Sequence, residues 1–150
     1  MLRQKTATEL KNNFSSYARH EHLNTSAARM NADIKTILHT LLEVPSDCDD
    51  VEQAVKNEGE RTEKDQAWSS MLQVLALATV VGKEIISVFP DVEHYAKSLF
   101  HCTVKPIRQM APDSTEQIHQ KLVILWSRSS LDNDACIFVP DHVVPLIEQC

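Results

Sequence analysis

The sequence predicts an α+β domain in which helices come first and strands follow. Three observations carry that expectation. Apolar residues recur at spacings of three and four through roughly the first half of the chain, the signature of helices with one core-facing side. Two later runs, Ile85-Ile86-Ser87-Val88-Phe89 and Leu122-Val123-Ile124-Leu125-Trp126, are dense in β-branched and aromatic residues, which suit buried strands. Helical and strand patterns do not alternate, so N-terminal helices packed on a small mixed sheet fit better than regular βαβ repetition.

Leu2, Thr6, Leu10, Phe14 and Tyr17 share one face of a helix expected from about Leu2 to Ala18,. Ala27, Met30, Ile34, Ile37, Leu38 and Leu41 form a second stripe, with Thr25 or Ser26 as cap and Pro45 beyond its end,. Residues 46–65 are acidic, with Val51, Ala54 and Val55 as the sole apolar cluster, and are expected as one short helix within a flexible surface segment. Trp68, Met71, Leu72, Leu75, Ala76 and Thr79 mark a buried helix opened by Asp65 and closed by Gly82,. A helical turn is expected around Tyr95 to Phe100, and an extended piece at Thr103-Val104. Short strands are expected at Ile137-Phe138-Val139 and from Val143 to Ile147, on either side of Pro140,.

At 150 residues, the chain is the size of one domain spanning 1–150,. No run approaches the roughly 18 apolar residues of a membrane span, and the polar start after Met1 lacks a signal-peptide core,. A net charge of −6 argues against binding a phosphate backbone,. With only Gly59 and Gly82, the chain has no glycine-rich phosphate loop, and no cofactor is expected,. Cys48, Cys102, Cys136 and Cys150 are widely spaced and form no CxxC pair, which suits free thiols in the cytoplasm or nucleus.

A cysteine hydrolase needs a thiolate favoured by a helix N-terminus and an imidazole, with a third group orienting the imidazole. None of the four cysteines meets that demand. Asp47, Asp49 and Asp50 surround Cys48 and favour its neutral thiol,. Cys136 reads as packing, and Cys150 is terminal. Cys102 follows His101, but neighbours in an extended segment face opposite ways. Of seven histidines, His142 is the candidate base, because it opens a strand after a turn. His20 with His22, and His94 with His101, are loose pairs short of the four converging ligands of a structural metal site. Trp68 and Trp126 sit in apolar runs and are expected in the core.

One succession of motifs is more specific. Leu2-Arg3 with Thr6-Ala7-Thr8-Glu9-Leu10 is followed by Trp68, Leu75-Ala76-Leu77-Ala78, Lys83-Glu84-Ile85-Ile86-Ser87-Val88-Phe89-Pro90, Ile124-Leu125-Trp126 and His142. This order resembles the ovarian-tumour-type (OTU-like) cysteine-protease fold, a papain-like architecture, and within it the vertnin-like branch. The resemblance implies that an Asp-Gly-Asn-Cys-Leu-Phe segment, whose cysteine is the nucleophile, would lie upstream of Leu2-Arg3. It places the family's histidine at His142. In many members an Asn or Asp two residues later holds the imidazole; here that residue is Val144, which cannot accept its N–H. Asp141 falls on the opposite face, leaving Asp132, Asn133 or Asp134 to substitute.

The expectation is therefore a non-catalytic OTU-like domain that binds a protein, with ubiquitin or a ubiquitin-like protein as partner and no nucleic acid or membrane. The alternatives are a fragment of a deubiquitinating cysteine protease with its nucleophile upstream of Met1, and a vertnin-like nuclear, transcription-linked protein or mobile-element remnant.

Overall fold

The computed structural model describes residues 2–42, 46–64, 68, 70–91, 97–108, 122–128 and 142–146. The first expected helix is two, α1 (Leu2–Asn12) and α2 (Phe14–Ala18). The break falls at Asn13, with φ −123° and ψ 28°, where the side chain turns back to donate to Glu9 Oε2 at 3.2 Å,. The stripe survives the break, with Leu10 and Tyr17 fully buried. The second expected helix also divides, into α3 (Glu21–Met30) and α4 (Ile34–Leu41). Asn31 ends α3 in the left-handed region at φ 50°, and Asp33 caps α4 by accepting the Thr36 N–H at 2.7 Å,. Thr25 and Ser26 lie inside α3, and His20 is its cap.

The stretch expected to be one short helix within a flexible acidic segment holds α5 (Val51–Lys64), a longer, 14-residue helix that packs on α1. Three apolar residues understate it because Glu58, Gly59 and Thr62 are buried as well. Gly59 is where α1 comes closest: a Cβ there would stand 2.7 Å from Lys11 Cγ and 3.0 Å from Lys11 N.

Helix α6 (Met71–Val81) is buried from Met71 through Thr79, as befits a helix apolar on all sides,. Its cap is Ser70, in a reciprocal box with Gln73,. Trp68 precedes the helix, and Asp65 lies outside the described residues. Gly82 closes it at φ 66°, as expected,. There follow β1 (Ile85–Val88), α7 (Lys97–Phe100), β2 (Cys102–Val104), β3 (Leu122–Ser127) and β4 (His142–Leu146). The strand expected at Ile137-Phe138-Val139 falls outside the described residues, as do His94, Asp132, Asn133, Asp134, Cys136, Asp141 and Cys150.

The strands form one mixed sheet in the order β2-β1-β3-β4, with β1 and β3 parallel and the two outer pairs antiparallel. Ile85, Ser87, Ile124 and Trp126 are buried on one face, while Ile86, Val88, Val123 and Leu125 on the other are half-buried,. The chain is thus α+β, helices on a small mixed sheet, as its sequence pattern predicts.

One polar knot holds the buried face together. Trp126 Nε1–H donates to Ser87 Oγ at 2.8 Å, and the Ser87 hydroxyl donates to the Phe100 carbonyl at 2.5 Å. The Phe100 ring meets Trp126 edge-on at 4.9 Å between centroids,. Ser87→Ala leaves a buried indole N–H and a carbonyl without this partner, and is expected to lower unfolding free energy by about 1–3 kcal/mol. An unchanged urea midpoint would show that the knot contributes nothing.

Candidate functional site: the junction of α1, Trp68 and β4

Three distant parts of the chain meet beside the start of α1. The Arg3 guanidinium carbon stands 6.0 Å from the Trp68 ring centroid, within cation–π range. The Trp68 carbonyl accepts the Val143 N–H at 2.7 Å. His142, the first residue of β4, is therefore adjacent in sequence to a residue anchored at Trp68, and in register it opposes Ser127.

The start of α6, two residues beyond Trp68, is itself firmly anchored. The Ser70 hydroxyl donates to Glu58 Oε1 at 2.5 Å, and Arg61 grips the same carboxylate through Nε and a terminal nitrogen, both at 2.8 Å. Gln73 donates to Thr62 Oγ1 at 3.0 Å. Glu58 is 4% exposed, and a buried carboxylate is tolerable only when paired and hydrogen-bonded in this way. On the far side of α1, Glu9 accepts from the Tyr17 hydroxyl at 2.9 Å and from Arg108 at 2.5 Å. Burial pushes the Tyr17 phenol above its ordinary range, so it stays protonated and donates,.

The register pairs Val143 with Trp126 and Val144 with Leu125. Val143 packs against the core, whereas Val144, on the opposite face with position 142, is 39% exposed.

The described cysteines are elsewhere. Cys102 lies in β2, at the opposite edge of the sheet from β4. Three strand spacings separate these edges, roughly 14 Å, too far for a thiolate–imidazolium pair with position 142. Burial pushes its thiol up to about 11, against the nearby Arg29 charge,. Its neighbour His101 accepts the Phe89 N–H through Nδ1 at 3.3 Å. Cys48 is half-buried on the loop between α4 and α5, beside the Lys35–Asp49 ion pair.

The His20–His22 pair serves the fold. His20 Nδ1 accepts the His22 N–H at 3.0 Å, capping α3, and His22 Nε2 donates to the Leu99 carbonyl at 2.8 Å. Trp126 is in the core as expected, whereas Trp68 is half-buried at the junction. Nothing in the sequence pairs Trp68 with Arg3 and Val143; its place in an apolar run pointed to a helix interior.

The model of the family described as "Vertnin, OTU domain" matches residues 1–127. The chain belongs to the vertnin OTU-domain family. The match to this vertnin-type OTU domain ends with β3, so His142 lies beyond it. No curated protein and no solved structure matches the chain. None of the described helices is long and apolar enough to cross a membrane.

Two solution properties are expected of this OTU domain. Burial lowers His20 from 6.5 to about 4, with the neighbouring His22 adding to the effect. The unfolded chain then takes up the proton first, so the stabilisation is complete above about pH 6.5 and is lost as pH falls toward 4. The loss amounts to about 3 kcal/mol. His20→Asn retains a capping oxygen without the titration, and its urea midpoint is expected to depend less steeply on pH over that window; an identical slope would assign the acid sensitivity to other groups. Cys102 is expected to alkylate with iodoacetamide at pH 7.5 roughly 100-fold more slowly than an unperturbed thiol, as followed by peptide mass spectrometry. Labelling at the ordinary rate would contradict its burial.

Proposed function

We propose that this vertnin-type OTU domain is a non-catalytic module that binds a protein partner of the ubiquitin-like class, through the surface where α1 and β4 begin. The observation that carries this reading is Val144, exposed two residues after His142. An imidazole at position 142 would lack the Asn or Asp that orients it in many active members of the fold, and a general base held in the wrong orientation or tautomer is a poor one. A retained fold beside a broken catalytic set is what a binding role leaves behind.

The second reading, a deubiquitinating cysteine protease whose nucleophile lies upstream of Leu2, draws on one feature. The start of α1 and the start of β4 both reach Trp68, and such a nucleophile and His142 would need to be brought to one place in this way.

Ubiquitin carrying a C-terminal electrophile distinguishes the two. The purified chain is expected to form no covalent adduct, yet to perturb the spectrum of unmodified ubiquitin, with affinity reduced about tenfold by Val144→Asp or Arg3→Glu. An adduct that disappears on His142→Ala would establish the hydrolase. Absence of any ubiquitin response would remove the ubiquitin-like partner class.

A further inference from the structure

A second surface lies at the other end of the sheet, away from the α1–β4 junction. β2 is an edge strand, paired with β1 on one side and, among the described residues, with no strand on the other. Along it runs an open cleft of about 400 Å³ whose opposite wall is the α2–α3 turn and the first turn of α3. That volume falls within the range of about 300–1,000 Å³ typical of ligand clefts.

Thr103 and Val104, the last two residues of β2, line the cleft together with Lys105 just beyond them. Successive side chains of a strand point to opposite faces, so a surface that touches both Thr103 and Val104 runs along the edge of the strand, where backbone groups are presented. We infer that this cleft binds a short, extended peptide carrying acidic side chains, which adds to β2 as a further strand.

The charge of the walls selects the acidic class. The chain carries −6 overall, yet the cleft is lined by Arg19 and Lys105 against a single carboxylate, Glu21. Both cations are well exposed, and their ion pairs, Arg19 with Glu52 at 3.3 Å and Lys105 with Glu84 at 4.0 Å, are of the exposed kind that is weakly held,. An incoming carboxylate can replace either partner. His20 contributes a donor: its Nδ1 is occupied by the His22 N–H, so the neutral ring carries its proton on Nε2. Pro106 follows β2 closely and has no N–H to offer a ladder,, so only a few residues of peptide can pair. Strand addition of this kind draws affinity from backbone hydrogen bonds and selectivity from flanking side chains.

The test is an NMR titration of the whole isotope-labelled chain with acetyl-Val-Glu-Val-Glu-Val-amide, its lysine counterpart acetyl-Val-Lys-Val-Lys-Val-amide, and a backbone N-methylated version of the glutamate peptide. The glutamate peptide is expected to shift the amides of Thr103, Lys105 and residues 20–25, while the lysine peptide binds about tenfold more weakly and the N-methylated peptide does not bind. Arg19→Glu and Lys105→Glu, both surface changes, should each weaken binding about fivefold. No shift at millimolar peptide, or an equal response to the lysine peptide, would overturn the proposal. So would shifts confined to Trp68 and β4, or cleft shifts that track protein concentration alone, which would mark self-association.

Discussion

Glu58 brings a carboxylate into the helical layer with only 4% of its surface exposed, and the surrounding structure is arranged to satisfy it. Arg61, one turn later on α5, supplies a two-pronged partner, and Ser70 supplies a hydroxyl from the next element. A buried charge stripped of its partner costs about 3–5 kcal/mol, so the start of α6 has little freedom to move relative to α5. Ser70 also caps α6. The same hydroxyl thus fixes where the central helix begins, two residues after the Trp68 carbonyl that meets β4. The candidate site lies two residues from an anchor built on a charge that takes no part in it.

The sheet rests on a comparable arrangement. Ser87 in β1 lies beside Ile124 of the parallel strand β3, and its hydroxyl joins the Trp126 indole to the carbonyl of Phe100 at the end of α7. One small polar side chain therefore links two strands and the short helix between β1 and β2.

The apolar runs that became β1, β3 and α6 were legible because composition and burial coincide in them, and Gly82 because few residues other than glycine accept its positive φ,. The breaks at Asn13 and Asn31 were not. Each interruption is short enough for the apolar spacing to continue across it, and Asn turns a helix by local hydrogen bonding or left-handed geometry that periodicity does not register. Helix α5 was underestimated for another reason. Much of its buried face is Glu58, Gly59 and Thr62, residues whose burial depends on Arg61, Lys11 and Gln73 lying where they do. The site was partly readable: motif order identified the family and drew attention to positions 142 and 144, whereas the meeting of Arg3, Trp68 and Val143 is a product of tertiary packing.

The bond from Val143 to Trp68 also bears on how the molecule behaves in company. Among the described residues β4 is an edge strand, and in an antiparallel pair alternate residues turn their backbone groups outward,. Since the Val143 N–H goes to Trp68, the outward set includes positions 143 and 145. Position 145 is a proline and has no N–H. Within β4 the donors that would template a neighbouring chain are thus either engaged or missing, which is how natural sheets keep from growing into fibres. A partner strand arriving on this side can use only the outward carbonyls of β4, because the strand has no outward N–H left with which to recruit it,.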